Sequence, residues 1–479
     1  MANTKQREDM ISKLERGFNP RNIVVVGAAR HNEFRWLKSH LAIREHSGDV
    51  FHVNIDENEW PGAEELGVKN FKSMLDIPEP IDYVTISVPR KFVPLVVQDC
   101  IKKEVALVHI FTAGFEESGE EEGIMLDNQI SKMARDAGLL IMGPNCMGLF
   151  NPSSGVRQGT NQYHNESGNF GYISQSGSMA TGMSLEANAH GIKMSKCISM
   201  GNGMIVDVAD YMDYFMQDDE THIVGMYIEG LKEPLGFFKD LKEASNKKPI
   251  LVWKVGLTED SARATAAHTG SAFIPGSVWS SLMARCGAIP IESQDEMIDT
   301  AKALTLVSPP SGFNVGMYAS TGGHSTDMAN VFSKHGFKIV PLTDKSYDDL
   351  RSFFNMIGGN YVNPIQQAPP EHFERIVQIL SSDDNVDIVA LELPGSRLAA
   401  DEKLLDDRIR ILKEAQSNSP KTVVACLYDG YPRMDQATLE RITKQFADNG
   451  IAAFHSFQNA AVALRNVTNY HIVRRYTEG

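Results

Sequence analysis

The sequence predicts an α/β protein of three successive parallel-sheet segments, the first of them Rossmann-like. Three observations predict it. Apolar, β-rich runs of strand length alternate with amphipathic segments of helix length. The alternation lapses twice into Pro, Ser, Gly and Asn. In both cases it restarts with a strand that feeds a Gly/Ser-rich turn.

A polar, helical lead-in over residues 1–20 gives way to Asn22-Ile-Val-Val-Val-Gly27, the pattern of a buried strand at the centre of a parallel sheet. Strand-like runs recur at Val50 to Ile55, Tyr83 to Val88, Val105 to Phe111 and Leu139 to Met142, with amphipathic stretches such as Lys91 to Lys103 between them. The pattern lapses over 151–168. It resumes at Asn169-Phe-Gly-Tyr-Ile-Ser174 and continues through Ile223 to Ile228 and Pro249 to Lys254. Pro309-Pro-Ser-Gly312 interrupts it again before Asn314 to Ser320, followed by strands near Ile339, Ile388 to Leu393 and Val423 to Leu427. The expected domains are therefore 1–150, 151–309 and 310–479. The second and third open alike, with Ser174-Gln-Ser-Gly-Ser178 and Ser320-Thr-Gly-Gly-His324-Ser325, a weak internal repeat.

The 479 residues are 42% hydrophobic and 22% charged, which suits two or three globular domains. With 46 Lys and Arg against 61 Asp and Glu the net charge is −15, so a general grip on polyanions is excluded and any phosphate site must be local. Nucleic acid is not an expected partner. Cys100, Cys146, Cys197, Cys286 and Cys426 show neither metal-ligand nor redox-pair spacing, so no metal is expected and a reducing, cytoplasmic compartment is. No apolar run approaches the roughly 18 to 20 residues that cross a bilayer, and no membrane association is expected.

The first N–H groups of a helix lack intrahelical acceptors and point along a favourable dipole, so a Gly/Ser turn at a helix start can receive an anion. Ser176, Gly177 and Ser178 form one such turn; Gly322, Gly323 and Ser325 form another, although a turn of this kind can also simply join a strand to a helix. His268, in Arg263-Ala-Thr-Ala-Ala-His-Thr-Gly-Ser271, is the candidate to carry a phosphoryl group between them. Its neighbours, including Gly270 and Ser271, are small enough to admit phosphate, and neutral imidazole offers a lone pair near neutral pH. Glu229, ending the run Val224 to Ile228, is the candidate acceptor for the other ring nitrogen. A solvated loop carboxylate is its plainer alternative.

Lys248 to Gly256 through Ala267-His-Thr-Gly-Ser271, with Ser174 to Ser178, Gly143-Pro-Asn-Cys-Met-Gly148 and Tyr227-Ile-Glu-Gly230, resembles the α subunit of NDP-forming acyl-CoA synthetases, in the succinyl-CoA synthetase superfamily. The resemblance spans about residues 20–470. It implies a Rossmann-like CoA-binding domain followed by two flavodoxin-like ligase domains. It also implies interconversion of acyl-CoA, ADP and phosphate with acid, CoA and ATP through phosphohistidine at His268, oriented by Glu229. Coenzyme A is then a substrate, in contact with Gly27, Ala28, Arg30, Val88, Pro89, Thr112, Gly114 and Asn145. The family binds ATP/ADP and Mg2+ in an ATP-grasp module. Neither that module nor a G-x-x-x-x-G-K-[ST] loop is found here, so an ATP-grasp β subunit and an α2β2 oligomer are implied.

Three departures stand out. The turn Gly27-Ala-Ala-Arg-His-Asn-Glu-Phe-Arg35 carries bulky and charged residues, leaving Arg30 or Arg35 as phosphate partners. Asn54-Ile-Asp-Glu-Asn58 places acid where relatives carry lysine, which opposes phosphate. Relatives read Gly-Gly-Pro-Gly where this chain reads Gly322-Gly-His-Ser325, so His324 could bond phosphate, fill space or compete with His268 as acceptor. A noncatalytic CoA or acyl-CoA sensor is the alternative function. A nicotinamide oxidoreductase is a third reading, which the missing G-x-G-x-x-G disfavours.

Overall fold

The computed structural model describes residues 4–269, 274–355, 362–428 and 433–478, with the side chains of 266–269 and 476–478 left aside. It is α/β throughout. The first sheet contains β1 (Asn22–Val26), β2 (Asp49–Val53), β3 (Lys69–Phe71), β4 (Tyr83–Ile86), β5 (Leu107–Ile110) and β6 (Leu140–Met142). Its order is β3-β2-β1-β4-β5-β6, all parallel. This is the dinucleotide-fold order, with its switch point between β1 and β4, where the carboxyl strand ends leave a crevice. Ile23 to Val26 are all buried, as β-branched residues in a sheet covered on both faces should be.

The second sheet contains β7 (Gly148–Phe150), β8 (Phe170–Ser174), β9 (Met194–Ser199), β10 (Ile223–Ile228), β11 (Ile250–Lys254) and β12 (Ile289–Ile291). β7 runs antiparallel to β9, and the remaining five strands are in the flavodoxin order. The third sheet, of β13 (Asn314–Ala319), β14 (Lys338–Ile339), β15 (Ile365–Gln366), β16 (Ile388–Pro394), β17 (Thr422–Tyr428) and β18 (Ala453–Phe454), repeats that order, with β15 on the side of β13.

The chain forms two compact units, 1–185 with 193–291 and 186–192 with 292–479. The first two sheets share one unit because the helix Thr4–Phe18 packs into both segments: Phe18 meets Tyr214 edge-on at 4.7 Å, and the Tyr214 hydroxyl donates to Glu15 at 2.6 Å. The second of these units takes up the chain again from Glu292. The helix Gln294–Leu306 belongs to the second unit, where Lys302 donates to the Ala453 carbonyl at 3.0 Å and Asn466 donates to Glu296 at 2.9 Å. Among the described residues no helix is long and apolar enough to cross a membrane, and no group of three or more His, Cys, Asp or Glu is placed to hold a metal.

Candidate functional site

A cavity of about 1190 Å³ opens at the carboxyl ends of β1, β2, β4 and β5. Parallel α/β sheets bind ligands there because strand ends and helix starts leave backbone donors facing the crevice. Gly27, Val88, Pro89, Thr112 and Asn145 line it, and so do Gly177 and Ser178 from the first Gly/Ser turn. One continuous space thus joins two sets of residues that the sequence nominated separately.

Gly27 has φ +87, and a Cβ there would lie 2.5 Å from Val88 Cγ1 and 2.8 Å from the Ser87 carbonyl oxygen. The glycine lets adjacent strand ends close up beneath the cavity. Thr112 Oγ1 donates to the Val88 carbonyl at 2.7 Å, and the Asn145 N–H donates to the Thr112 carbonyl at 3.1 Å. These contacts hold one rim of the cavity.

Three other nominated residues lie off its wall. Ala28 is buried, with its carbonyl accepting from His52 and Asn54 at 3.0 Å each. Arg30 is exposed and turned to the loop after β2, where its N–H donates to Glu59 and its guanidinium to the Asn58 carbonyl, both at 2.8 Å. Gly114 donates to Glu117 at 2.6 Å and accepts from Arg90 at 2.9 Å, while Arg90 is further paired with Glu120 and Glu122.

Two cations line the cavity: Arg35, one of the two arginines expected from the first turn, and Lys72, which the sequence did not single out. Arg35 lies 5.3 Å from the Trp36 ring, and its guanidinium reaches the Gln158 carbonyl at 3.4 Å. Lys72, just past β3, pairs with Glu57 at 2.5 Å, which raises its pKa. Glu57 is thereby neutralised, while Asp56 and Glu59 still face the cavity. Ile55, 83% exposed, with Phe92 and Leu95 forms an apolar lip at the mouth. Cys146 lines the wall as a buried thiol, its pKa pushed up to about 12 by desolvation, and so stays protonated.

At the other end, Ser174 Oγ accepts from the Ser176 N–H at 3.1 Å, and the Ser176 and Ser178 hydroxyls lie 3.2 Å apart at the start of the helix Gly177–Ala189. A Cβ on Gly177 would meet Met147 Cγ at 2.8 Å. Gln175 ties this turn to the segment after β10: its Oε1 accepts the N–H groups of Glu229 and Gly230, and its Nε2 donates to the Gly230 carbonyl at 2.8 Å. Glu229 is 7% exposed. Lys254, buried at the end of β11, donates to the Glu229 carbonyl at 2.9 Å; desolvation lowers its pKa and Glu229 partly offsets that.

The helix Glu259–Thr269 contains the backbone of His268, and it begins close behind β11 because Gly256, at φ +79, leaves no room for a Cβ beside Thr265. The His268 side chain, Gly270 and Ser271 lie outside the described residues.

In the second unit, Gly322 and Gly323 open the helix Gly322–Lys334, capped by Thr321. Ser325 Oγ is engaged by the Gly322 carbonyl at 2.8 Å and by Gln366 at 2.9 Å. His324 Nδ1 lies 3.0 Å from Glu392.

Comparison with known proteins sets these sites in context. Residues 21–152 match the CoA binding domain family and residues 167–304 the succinyl-CoA ligase like flavodoxin domain. Over 451 residues the chain is 32% identical to the α subunit of ADP-forming acetate–CoA ligase II from Pyrococcus furiosus, covering 93% of this chain and 95% of that protein. It is 30% identical to ADP-forming acetate–CoA ligase I from Archaeoglobus fulgidus over 87% of this chain but 58% of that longer protein. Its fold matches the ADP- and phosphate-bound structure of a dinucleotide-forming acetyl-coenzyme A synthetase from Candidatus Korarchaeum cryptofilum, with TM-score 0.82, 27% identity, 97% of this chain and 98% of that one.

Proposed function

The chain belongs to the family of ADP-forming acetate–CoA ligase α subunits, and we propose that it interconverts acyl-CoA, phosphate and ADP with acid, CoA and ATP through a phosphorylated His268. The observation that carries this reading is the single cavity running from Gly27, Val88 and Thr112 to Gly177 and Ser178. A CoA thioester laid along it presents its acyl carbon beside the helix start that would hold phosphate. The apolar lip of Ile55, Phe92 and Leu95 suits the adenine and pantetheine arm, and Arg35 and Lys72 suit the phosphates.

Phosphate attacks the acyl carbon, the C–S bond breaks, and CoA leaves with the proton released from phosphate. His268 then attacks the phosphorus of the acyl phosphate, the P–O bond to the acyl oxygen breaks, and the carboxylate departs. Glu229 accepts the Nδ1 proton and leaves Nε2 as the nucleophile. Backbone N–H groups of 176–178 neutralise the phosphoryl oxygens; Gly270 and Ser271 are kept as phosphate-binding candidates next to His268 in sequence, and Gly322, Gly323 and Ser325 as a phosphate-binding turn of the second unit. Phosphohistidine finally passes its group to ADP.

The relatives' α-subunit names imply a partner subunit. We assign it as an ATP-grasp β chain that holds ATP/ADP and Mg2+, in a cytoplasmic α2β2 assembly whose acid substrate is a small carboxylate. The domains 1–150, 151–309 and 310–479 are our working division. The sensor alternative loses ground because full-length relatives are named as ligases, and the pairing of Glu57 with Lys72 weakens its motive. In the test, the chain and its partner are incubated with γ-labelled ATP. Acid-labile, base-stable label on His268 is expected, and equal label in His268→Ala overturns the assignment.

A further inference from the structure

We propose that His324 is a second phosphoryl acceptor, taking the group on Nε2. The proposal stands on a side-chain cluster in the second unit, separate from the cavity described above, and rests on the ligase reading only for its donor, an acyl phosphate.

Glu392, on β16, is 0% exposed. Ionised, a carboxylate only accepts hydrogen bonds, so every contact it makes identifies a donor. The Ser320 N–H donates to Oε2 at 2.7 Å, the Ser320 hydroxyl donates to Oε1 at 2.7 Å, and His324 Nδ1 reaches Oε1 at 3.0 Å. With Glu392 as acceptor, Nδ1 of His324 carries a proton, and in the Nδ1–H tautomer the lone pair lies on Nε2. Among the described residues none hydrogen-bonds to Nε2. The Tyr428 ring, with centroids 3.8 Å apart, restrains the imidazole from one face, yet the His324 side chain remains 27% exposed. A histidine kept only for packing is expected to use both nitrogens or to bury the ring. This one is oriented at Nδ1 and, among the described residues, has no hydrogen bond at Nε2, the arrangement of an activated nucleophile.

Ser320 and Glu392 also border a cavity of about 310 Å³, whose wall includes Arg397, Arg408, Phe373 and Leu398. Arg408 is 8% exposed, packed 4.2 Å from the Phe373 ring and paired with Asp407. Two guanidiniums beside apolar walls suit a small organic anion bearing phosphate.

In the reaction, Nε2 attacks phosphorus and an N–P bond forms. The P–O bond to the acyl oxygen breaks, and the carboxylate leaves with its electron pair. Nδ1–H stays on Glu392, whose charge opposes the cation developing on the ring.

To test this, the full chain and its His268→Ala and His324→Asn variants are incubated with 32P-labelled acetyl phosphate and digested with trypsin at alkaline pH. Circular dichroism checks that each variant is folded. The peptides 264–285 and 303–334 separate the two histidines, since neither contains an internal Lys or Arg. Acid-labile label on 303–334 is expected in wild type and His268→Ala, with at least a tenfold loss in His324→Asn, and 31P NMR should show the Nε2-linked isomer. Label on 264–285 alone overturns the proposal and leaves the ligase reading intact. Label on 303–334 alone supports it and counts against His268. Label on neither peptide overturns it, and the labelled-ATP experiment with the partner then judges His268 independently.

Discussion

Gln175 Oε1 accepts the backbone N–H groups of both Glu229 and Gly230, so one amide side chain fixes the carboxylate-bearing turn against the loop Ser174 to Ser178. These N–H groups have no strand partner, because β10 ends at Ile228. Leaving a buried donor unsatisfied costs about 1–3 kcal/mol. Gln175→Ala should therefore lower stability by about 2 kcal/mol in urea denaturation and slow labelling of His268 by at least tenfold. A variant with unchanged labelling shows that the clamp does not position Glu229.

Gly27→Ala should injure fold and binding together. Its φ of +87 disfavours any Cβ, and the added atom would press on Val88 Cγ1 and the Ser87 carbonyl, the latter being backbone that cannot swing aside. A cost of about 1–3 kcal/mol is expected from the strain. Calorimetric titration should show CoA affinity lowered at least tenfold, since Val88 and Pro89 line the cavity.

The apolar strands were legible in the sequence because β-branched runs such as Ile23 to Val26 have no other stable place than a covered sheet. β9 was not, since Ser195 and Lys196 interrupt its pattern. Lys196 is buried only because Asp218 and Glu220 reach it at 2.9 and 3.1 Å, from a segment more than twenty residues away. The same divide runs through the site. Gly177 and Ser178 were readable from turn chemistry, and Gly27 and Asn145 through the resemblance. Lys72 and Gln175 matter through contacts across strands that no local pattern encodes, and of the two arginines expected from the first turn the fold brings Arg35, not Arg30, to the wall.

Arg35→Ala should separate the two half-reactions. Arg35 lines the cavity proposed for CoA, whereas in the proposed reaction transfer from ATP to His268 needs no CoA. The variant is expected to raise KM for CoA about tenfold, the scale of one lost charge-assisted hydrogen bond. Labelling of His268 from ATP should stay within about twofold of wild type. Loss of both activities instead would mean that Arg35 supports the fold through Trp36 and Gln158.

Acid should destabilise the first unit well above the carboxylate range. Desolvation pushes His40 down to about 3 and His109 down to about 4, so both are neutral in the folded chain. Unfolded, each titrates near 6.5. The unfolded state thus binds more protons as pH falls below about 6.5, and stability present above that value is lost progressively toward 4 and then 3. Asp210 acts in the opposite sense: desolvation raises it to about 6, so the folded state holds its proton where the unfolded state has lost it. Asp210, displaced by about two units, with Asp127 and Asp240 raised in the same sense, opposes two imidazoles displaced by more, at about 1.4 kcal/mol per unit each. The net expectation is a urea midpoint that falls steadily between pH 7 and 5. His40→Asn should flatten that slope even as it lowers the midpoint at pH 7, because the Thr85 hydroxyl, 3.0 Å from His40 Nε2, loses its partner. A slope unchanged by the substitution would mean that other groups carry the acid sensitivity.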